Sequence, residues 1–131
     1  MPRGQGRVDA PRRGAAGGAK GGRGVTAAHG ERLGAGELGA ELGAKATLVQ
    51  FSSAFCQPCR ATRRVLADVA AMVPGVAHVE IDAEGALDLV RALRVDSTPT
   101  VLVLDADGRV VRRAAGQPRK ADVIAALGAA V

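Results

Sequence analysis

The stretch that decides the fold is Thr-Leu-Val-Gln-Phe-Ser-Ser-Ala-Phe-Cys-Gln-Pro-Cys-Arg, which spans residues 47–60. Its first five residues form a short apolar run, and such a run is typical of a buried strand. A pattern of helical period follows over residues 57–72, with apolar side chains recurring every three or four positions. The sequence therefore predicts a strand that leads within a few residues into a helix, with Cys56 and Cys59 at the junction.

The spacing of the two cysteines indicates redox chemistry or half of a metal site. Cys56 precedes the first turn of the predicted helix, where unpaired N–H groups and the positive end of the helix dipole favour a thiolate. Cys59 lies one turn further along the same face, close enough to Cys56 for a disulfide. Pro58 fits between them because its missing N–H belongs to the first turn, which has no intrahelical partner. A CxPC sequence that opens a helix within a βαβ unit favours the redox interpretation.

The chain from about residue 25 onward alternates between strand and helix patterns. Further strands are predicted at residues 76–82, 100–104 and 109–112, and the last two form an antiparallel hairpin. Further helices are predicted at residues 31–42, 87–93 and 118–130. The helical side chains predicted to be buried are Leu33, Leu38, Leu42, Val65, Leu66, Val69, Met72, Val123, Ile124 and Leu127. Helical crossovers and a hairpin together predict an α/β fold, with a mixed sheet and helices on both faces.

Three segments resemble those of the thioredoxin family, namely residues 49–60, 79–82 and 95–100, the last of which contains Thr-Pro-Thr. Gly116, after the hairpin, resembles the glycine that the family places before its last helix. The resemblance covers residues 46–131. It implies the thioredoxin fold, whose mixed central sheet has helices on both faces, and it implies thiol–disulfide oxidoreductase activity, most simply the reduction of protein disulfides.

The resemblance also implies roles for individual residues. Cys56 would be the nucleophile that attacks a target disulfide, and Cys59 would resolve the mixed disulfide. Pro99 is expected to be a cis proline that faces the cysteines, while the Thr98 backbone pairs with an extended substrate segment. The expected substrate-binding residues are Phe55, Gln57, Pro58, Thr98 and Pro99. The redox-active disulfide would need no metal or organic cofactor, and its partners would be disulfide-containing proteins and a reductase such as thioredoxin reductase.

Five positions depart from the family pattern. Gln50 occupies the place of a buried acid, and an amide cannot take up a proton at ordinary pH. Ser52 and Phe55 stand where tryptophans are common, and Gln57 stands where a glycine is usual. His78 stands where the family often has a lysine, and an imidazole titrates near neutral pH. We therefore hypothesise that His78, or water, accepts the proton of Cys59.

The chain has 131 residues, enough for one domain, and a formal net charge of +5. Residues 1–24 carry six basic residues and one acidic residue, and the remaining 12 basic and 12 acidic residues balance. The whole excess charge therefore lies in a Gly/Arg/Ala-rich tail, which is predicted to be disordered, with a thioredoxin-like domain at residues 25–131. The tail lacks the aromatic residues that accompany nucleic-acid-binding arms, so no nucleic-acid partner is expected. No apolar run is long enough to span a membrane.

Several alternatives to a monomeric, cytoplasmic reductase are left open. The cysteines could be a static pair in a non-catalytic interaction module, or the chain could belong to a membrane-tethered protein whose true N-terminus is missing. A zinc site would have to add His29 and His78, and neither has the usual spacing. Ser52 and Ser53 lack the glycine elbow and the base of a serine nucleophile. The reduction potential, and with it the direction of electron flow, does not follow from the sequence.

Overall fold

The part of the chain that the computed structural model describes, residues 24–27 and 31–131, forms one sheet of five strands. The strands are β1 (Gly24–Ala27), β2 (Ala46–Ser52), β3 (Val76–Asp82), β4 (Thr100–Asp105) and β5 (Val110–Ala115). Their order in the sheet is β1-β5-β4-β2-β3. β2 and β3 are parallel, and the other neighbouring pairs are antiparallel.

Within the same ranges, the helices are α1 (Ala35–Leu38), α2 (Gln57–Met72), a short 3₁₀ helix (Ala83–Gly85), α3 (Leu87–Ala92) and α4 (Lys120–Leu127). α2 is the crossover that a parallel β2–β3 pair requires. The turn between β4 and β5 passes through Gly108, whose φ is +89° and whose N–H donates to the Asp105 carbonyl at 3.0 Å. A Cβ at Gly108 would collide with the Leu33 carbonyl oxygen, so this turn requires glycine.

The hydrophobic core lies in two layers, one on each face of the sheet. In β2, Leu48 packs in the layer that contains buried residues of α2 and α4, whereas Val49 and Phe51 pack in the layer that contains residues of α1 and α3. β4 alternates in the same way, with Val101 in the first layer and Leu102 in the second. This alternation follows the period of two along a strand. It confirms the predicted α/β fold, with a mixed sheet and helices on both faces.

Two of the predicted buried positions are wrong, because Met72 is 51% exposed and Ile124 is 44% exposed. The buried side chains of α2 are Cys59, Thr62, Leu66 and Val69. Their spacing alternates between three and four residues, so the next member is the partly buried Val73 and not Met72. In α4 the buried side chains are Val123, Ala126 and Leu127, and Ile124 lies beside that stripe.

The helix predicted over residues 31–42 is also wrong in its extent, because only Ala35–Leu38 is helical. Arg32 forms an isolated antiparallel bridge with Arg109, and the Leu33 N–H donates to the Gly108 carbonyl at 2.8 Å. Gly39 ends the helix in the left-handed region at φ +72°, where glycine is favoured. Leu33 and Leu38 are nevertheless buried as predicted, and Leu42 is partly buried.

The edge strand β1 was not predicted. It pairs antiparallel with β5, from Gly24 opposite Ala115 to Ala27 opposite Arg112. These four residues begin with a glycine and are too few to show the alternation of apolar and polar side chains that indicates a strand. The predicted disordered tail falls on residues 1–24, and residues 1–23 lie outside the described part of the chain, as does His29.

None of the helices described here has both the length and the apolar character needed to cross a membrane.

Candidate redox site at the start of helix α2

The backbone between β2 and α2 presents the two cysteines at one end of the sheet. β2 ends at Ser52, and Cys56 is the N-cap residue of α2, in an extended conformation at φ −99° and ψ 101°. Phe55, just before it, has φ +62°, in the left-handed region that non-glycine residues rarely adopt. The Phe55 side chain is fully exposed. An unusual backbone conformation and an exposed aromatic ring therefore stand next to Cys56, and such outliers concentrate at functional sites.

Cys56 and Cys59 form a disulfide, with their Cα atoms 5.2 Å apart. The Cys59 N–H donates to the Cys56 sulfur at 3.2 Å and also to the Cys56 carbonyl at 3.2 Å, so a backbone donor of the first helical turn is shared between this sulfur and the carbonyl. In the reduced chain the same donor and the helix dipole would stabilise a Cys56 thiolate. Cys56 is half-buried, whereas Cys59 is only 1% exposed. The difference in exposure favours Cys56 as the attacking sulfur and Cys59 as the resolving one.

The segment before β4 carries the remaining residues predicted for the substrate surface. The Thr98–Pro99 peptide bond is cis, as the resemblance implies. Pro99 is fully buried, and its carbonyl accepts from the Gly116 N–H at 2.8 Å. Thr98 is half-buried, and its hydroxyl lies 2.9 Å from the Ser53 hydroxyl. Thr98 is therefore joined to the loop that leads to Cys56, whereas Pro99 is held inside the fold.

Gln50 forms a buried hydrogen-bond network behind Cys59. Its Nε2 donates to the Cys59 carbonyl at 2.8 Å and to the Ser52 hydroxyl at 2.9 Å. Its Oε1 lies 3.2 Å from His78 Nε2. Since both amide protons are used, Oε1 is the acceptor and His78 Nε2 is the donor. His78 therefore reaches Cys59 through Gln50 and not by direct contact with a sulfur atom.

Two charged residues complete the environment of His78. Arg63 donates to both carboxylate oxygens of Glu80 at 2.7 Å, and this pair lowers the pKa of Glu80. The Ser52 hydroxyl lowers the Glu80 pKa further by hydrogen bonding to the carboxylate. Burial lowers the pKa of His78, against a smaller raising effect of the Glu80 charge. The imidazole is therefore kept neutral to a lower pH than a free histidine.

The depressed pKa of His78 predicts a pH-dependent stability. The unfolded chain takes up a proton on this ring near pH 6.5, and the folded chain takes it up only at lower pH. The His78 contribution is constant above that pH, and the free energy of unfolding falls as the pH drops below about 6.5. We expect His78→Asn, which keeps a side-chain donor, to flatten this fall. Urea unfolding of both chains from pH 8 to pH 5 measures it, and parallel curves would contradict the prediction.

Three polar residues of this site were not identified as partners from the sequence. They are Ser53, which contacts Thr98 45 positions away, and Arg63 and Glu80, which pair across 17 positions. One signal was present, because Gln50 interrupts an apolar run, and a buried amide must find partners. Ser52, which was considered above as a nucleophile, instead uses its hydroxyl to accept from Gln50 Nε2 and to hydrogen-bond to the Glu80 carboxylate.

Within residues 24–27 and 31–131, no three histidine, cysteine, aspartate or glutamate side chains are grouped so that they could hold a metal ion.

Comparisons with known proteins agree with the fold and with the motifs. The model of a thioredoxin-like domain matches residues 39–130. Thioredoxin H-type 1 from Nicotiana tabacum is 29% identical over 76 residues, which cover 58% of this chain and 60% of that protein. The matched segments span 46% to 61% of the lengths of the curated relatives.

Solved structures give the same result. A chloroplastic thioredoxin z superposes with a TM-score of 0.57 at 28% identity, covering 65% of this chain and 77% of that one. A thioredoxin mutant from Halobacterium salinarum superposes with a TM-score of 0.60, covering 66% of this chain and 76% of that one. At 22% identity, this second likeness supports the fold alone. The resemblance carried by the sequence motifs is confirmed.

Proposed function

This chain belongs to the thioredoxin-like family, and from that premise we propose that it is a thiol–disulfide oxidoreductase that reduces disulfides in proteins. The main support for this proposal is the position of the cysteine pair. Cys56 caps α2 and accepts a hydrogen bond from the Cys59 N–H, while the Cys59 side chain is buried beneath it. This arrangement combines an accessible, stabilised thiolate with a sheltered second thiol.

The first step is attack by the Cys56 thiolate on one sulfur of the target disulfide. A bond forms between Cys56 and that sulfur, the target S–S bond breaks, and the second target sulfur leaves as a thiolate. Solvent protonates the leaving thiolate. Because Cys59 is shielded from substrate, the mixed disulfide forms at Cys56.

The second step releases the target. Cys59 loses its proton and attacks the Cys56 sulfur, which forms the intramolecular disulfide and expels the first target sulfur as a thiolate. The target has then gained two electrons and two protons, and the Cys56–Cys59 pair has lost them. A dithiol donor of the thioredoxin reductase class would return the pair to the reduced state. Because such donors work in reducing compartments, we propose the cytoplasm as the location. We also propose a monomer as the working unit, because both reacting sulfurs lie in one chain.

The surface around Cys56 supports a polypeptide substrate. Phe55, Gln57 and Pro58 are exposed next to the half-buried Cys56. Across from this loop, Thr98 offers its backbone to an extended segment, because no residue in the described ranges hydrogen-bonds to its N–H or carbonyl. An aromatic ring and an open backbone segment suit a protein strand, whose main chain pairs with the donor and acceptor of Thr98.

The proton of Cys59 needs an acceptor in the second step, and we propose His78 or water. Gln50 lies between His78 and Cys59 but cannot take up a proton. With Nε2 donating to Gln50, the accepting atom of the neutral ring is Nδ1. We expect His78→Ala to slow resolution of the mixed disulfide by at least about tenfold. Stopped-flow measurement over pH 6–8 checks this, and unchanged rates would assign the role to water.

The reduction potential of the Cys56–Cys59 pair tests the proposed direction of electron flow, from this chain to the substrate. A reductase needs a potential at or below the cytosolic thiol poise, which begins at about −220 mV. We expect such a value from equilibration with glutathione buffers, together with insulin reduction driven by NADPH and a thioredoxin reductase. A potential far above that value would favour an oxidase or isomerase. A pair that exchanges with neither insulin nor glutathione would favour a non-catalytic module.

A further inference from the structure

The Ser53 and Thr98 hydroxyls meet at the point where the β2–β4 ladder ends. We propose that they form a positioning pair, which fixes the substrate-binding segment at Thr98 relative to Cys56. This inference rests on the proposed function and names two residues that govern how a substrate strand reaches the attacking sulfur.

The register of the sheet explains why these two residues meet. The antiparallel β2–β4 ladder ends with Phe51 opposite Thr100. Two residues further along one strand and two residues back along the other are Ser53 and Thr98. They lie just beyond the ends of β2 and β4, and their hydroxyls lie 2.9 Å apart although they are 45 residues apart in sequence. A side-chain bond therefore continues the pairing beyond the last backbone pair.

Two further hydrogen bonds hold the segment around Thr98, one within the segment and one from Gly116. The Thr100 hydroxyl donates to the Ser97 carbonyl at 2.6 Å, and the Gly116 N–H donates to the Pro99 carbonyl at 2.8 Å. Neither bond reaches the loop that carries Cys56. Among the residues that the structure describes, the hydroxyl pair is the hydrogen bond that joins this segment to residues 53–55, and Cys56 follows them directly.

The consequence for the reaction is geometric. A substrate strand held by the Thr98 backbone must bring its disulfide within bonding reach of the Cys56 sulfur, and small errors in such placement are costly. Without the hydroxyl pair, the two loops would move independently, and the bound substrate would less often be aligned. Thiolate stabilisation at Cys56 depends on the Cys59 N–H and the helix, so it should not depend on this pair.

The test uses two variants that remove one hydroxyl each with little change in shape, Ser53→Ala and Thr98→Val. For insulin reduction we expect KM to rise roughly threefold to tenfold in both, with the Cys56 pKa, read from iodoacetamide alkylation, unchanged. The double variant should be no worse than either single variant, because both break the same bond. Thr98→Ser, which keeps the hydroxyl, should have a KM close to that of the wild-type chain, unlike Thr98→Val. Ser97→Ala is the matched control, since Ser97 is exposed in the same segment and its side chain has no such bond.

An additive double variant, an unchanged KM or a shifted Cys56 pKa would overturn the positioning pair. If the wild-type chain reduced no insulin, the proposed function would fail, and the pair would still be testable by hydrogen exchange. We expect the Gly116 amide, which donates to the Pro99 carbonyl of that segment, to exchange several-fold faster in Ser53→Ala than in the wild-type chain or in Ser97→Ala. Equal exchange in all three chains would overturn the pair independently of any activity.

Discussion

Cys56→Ser should lose disulfide reduction by at least about a thousandfold, because a serine hydroxyl supplies no thiolate at neutral pH. The Cys56 sulfur is the half-buried one of the pair, and it accepts the Cys59 N–H at the start of α2. Cys59 cannot replace it as the attacking group, because only 1% of its surface is exposed. Insulin reduction with dithiothreitol as the electron donor measures the loss against the uncatalysed rate.

Cys59→Ser is the matched control for this result. It keeps the attacking thiolate and removes the resolving thiol, so the mixed disulfide should accumulate with Cys56 bonded to the substrate. Intact-mass and peptide mass spectrometry identify that adduct. Substantial turnover by Cys56→Ser, or an adduct on Cys59 of that variant, would contradict the assignment of the attacking sulfur.

Phe51→Ala should produce the largest loss of stability, about 3–5 kcal/mol in the free energy of unfolding. Phe51 is completely buried in β2, among the side chains of the core layer that includes Ile81 and Leu102. Removing the ring leaves a cavity that rigid strands on either side cannot fill. Domains of this size have about 5–15 kcal/mol in total, so the variant should be marginally folded. Urea unfolding of the reduced chains measures the difference.

Phe55→Ala is the matched control, since the sequence contains two phenylalanines and no other aromatic residue. Phe55 is fully exposed, so its removal should change the free energy of unfolding by less than about 0.5 kcal/mol. The same variant should weaken the binding of protein substrates, because it removes the exposed aromatic anchor beside Cys56. Equal stability losses for the two variants would contradict the assignment of Phe51 to the core and Phe55 to the surface.

The elements with strong periodicity could be predicted from the sequence. α2 occupies residues 57–72 as predicted, because a regular apolar stripe fixes its body and Pro74-Gly75 stops it. β3 likewise matches its alternating pattern over residues 76–82. By contrast, α1 and β1 are four residues each, and their form depends on contacts with β5 and with the Gly108 turn. Short segments of this kind carry too few residues for a period to be recognised.

The candidate site divides in the same way. The position of the cysteine pair at the start of a helix could be predicted, because it depends on residues that are close together in the chain. The bonds of Gln50 to Cys59 and His78, and of Ser53 to Thr98, join residues 9, 28 and 45 positions apart in the chain. They exist because β2 lies between β3 and β4, and the exact register of those strands is a property of the folded sheet. A polar residue inside an apolar run indicates that partners exist without identifying them.

The central claim is that Cys56 and Cys59 pass two electrons to a protein disulfide. A single-turnover experiment tests it most directly, with the reduced chain mixed with excess oxidised insulin and quenched with an alkylating agent at timed intervals. Mass spectrometry should find one Cys56–Cys59 disulfide for every two insulin thiols formed, preceded by a mixed disulfide at Cys56. A folded chain that keeps both cysteines reduced while insulin stays oxidised, or insulin thiols that appear without the Cys56–Cys59 disulfide, would contradict the account.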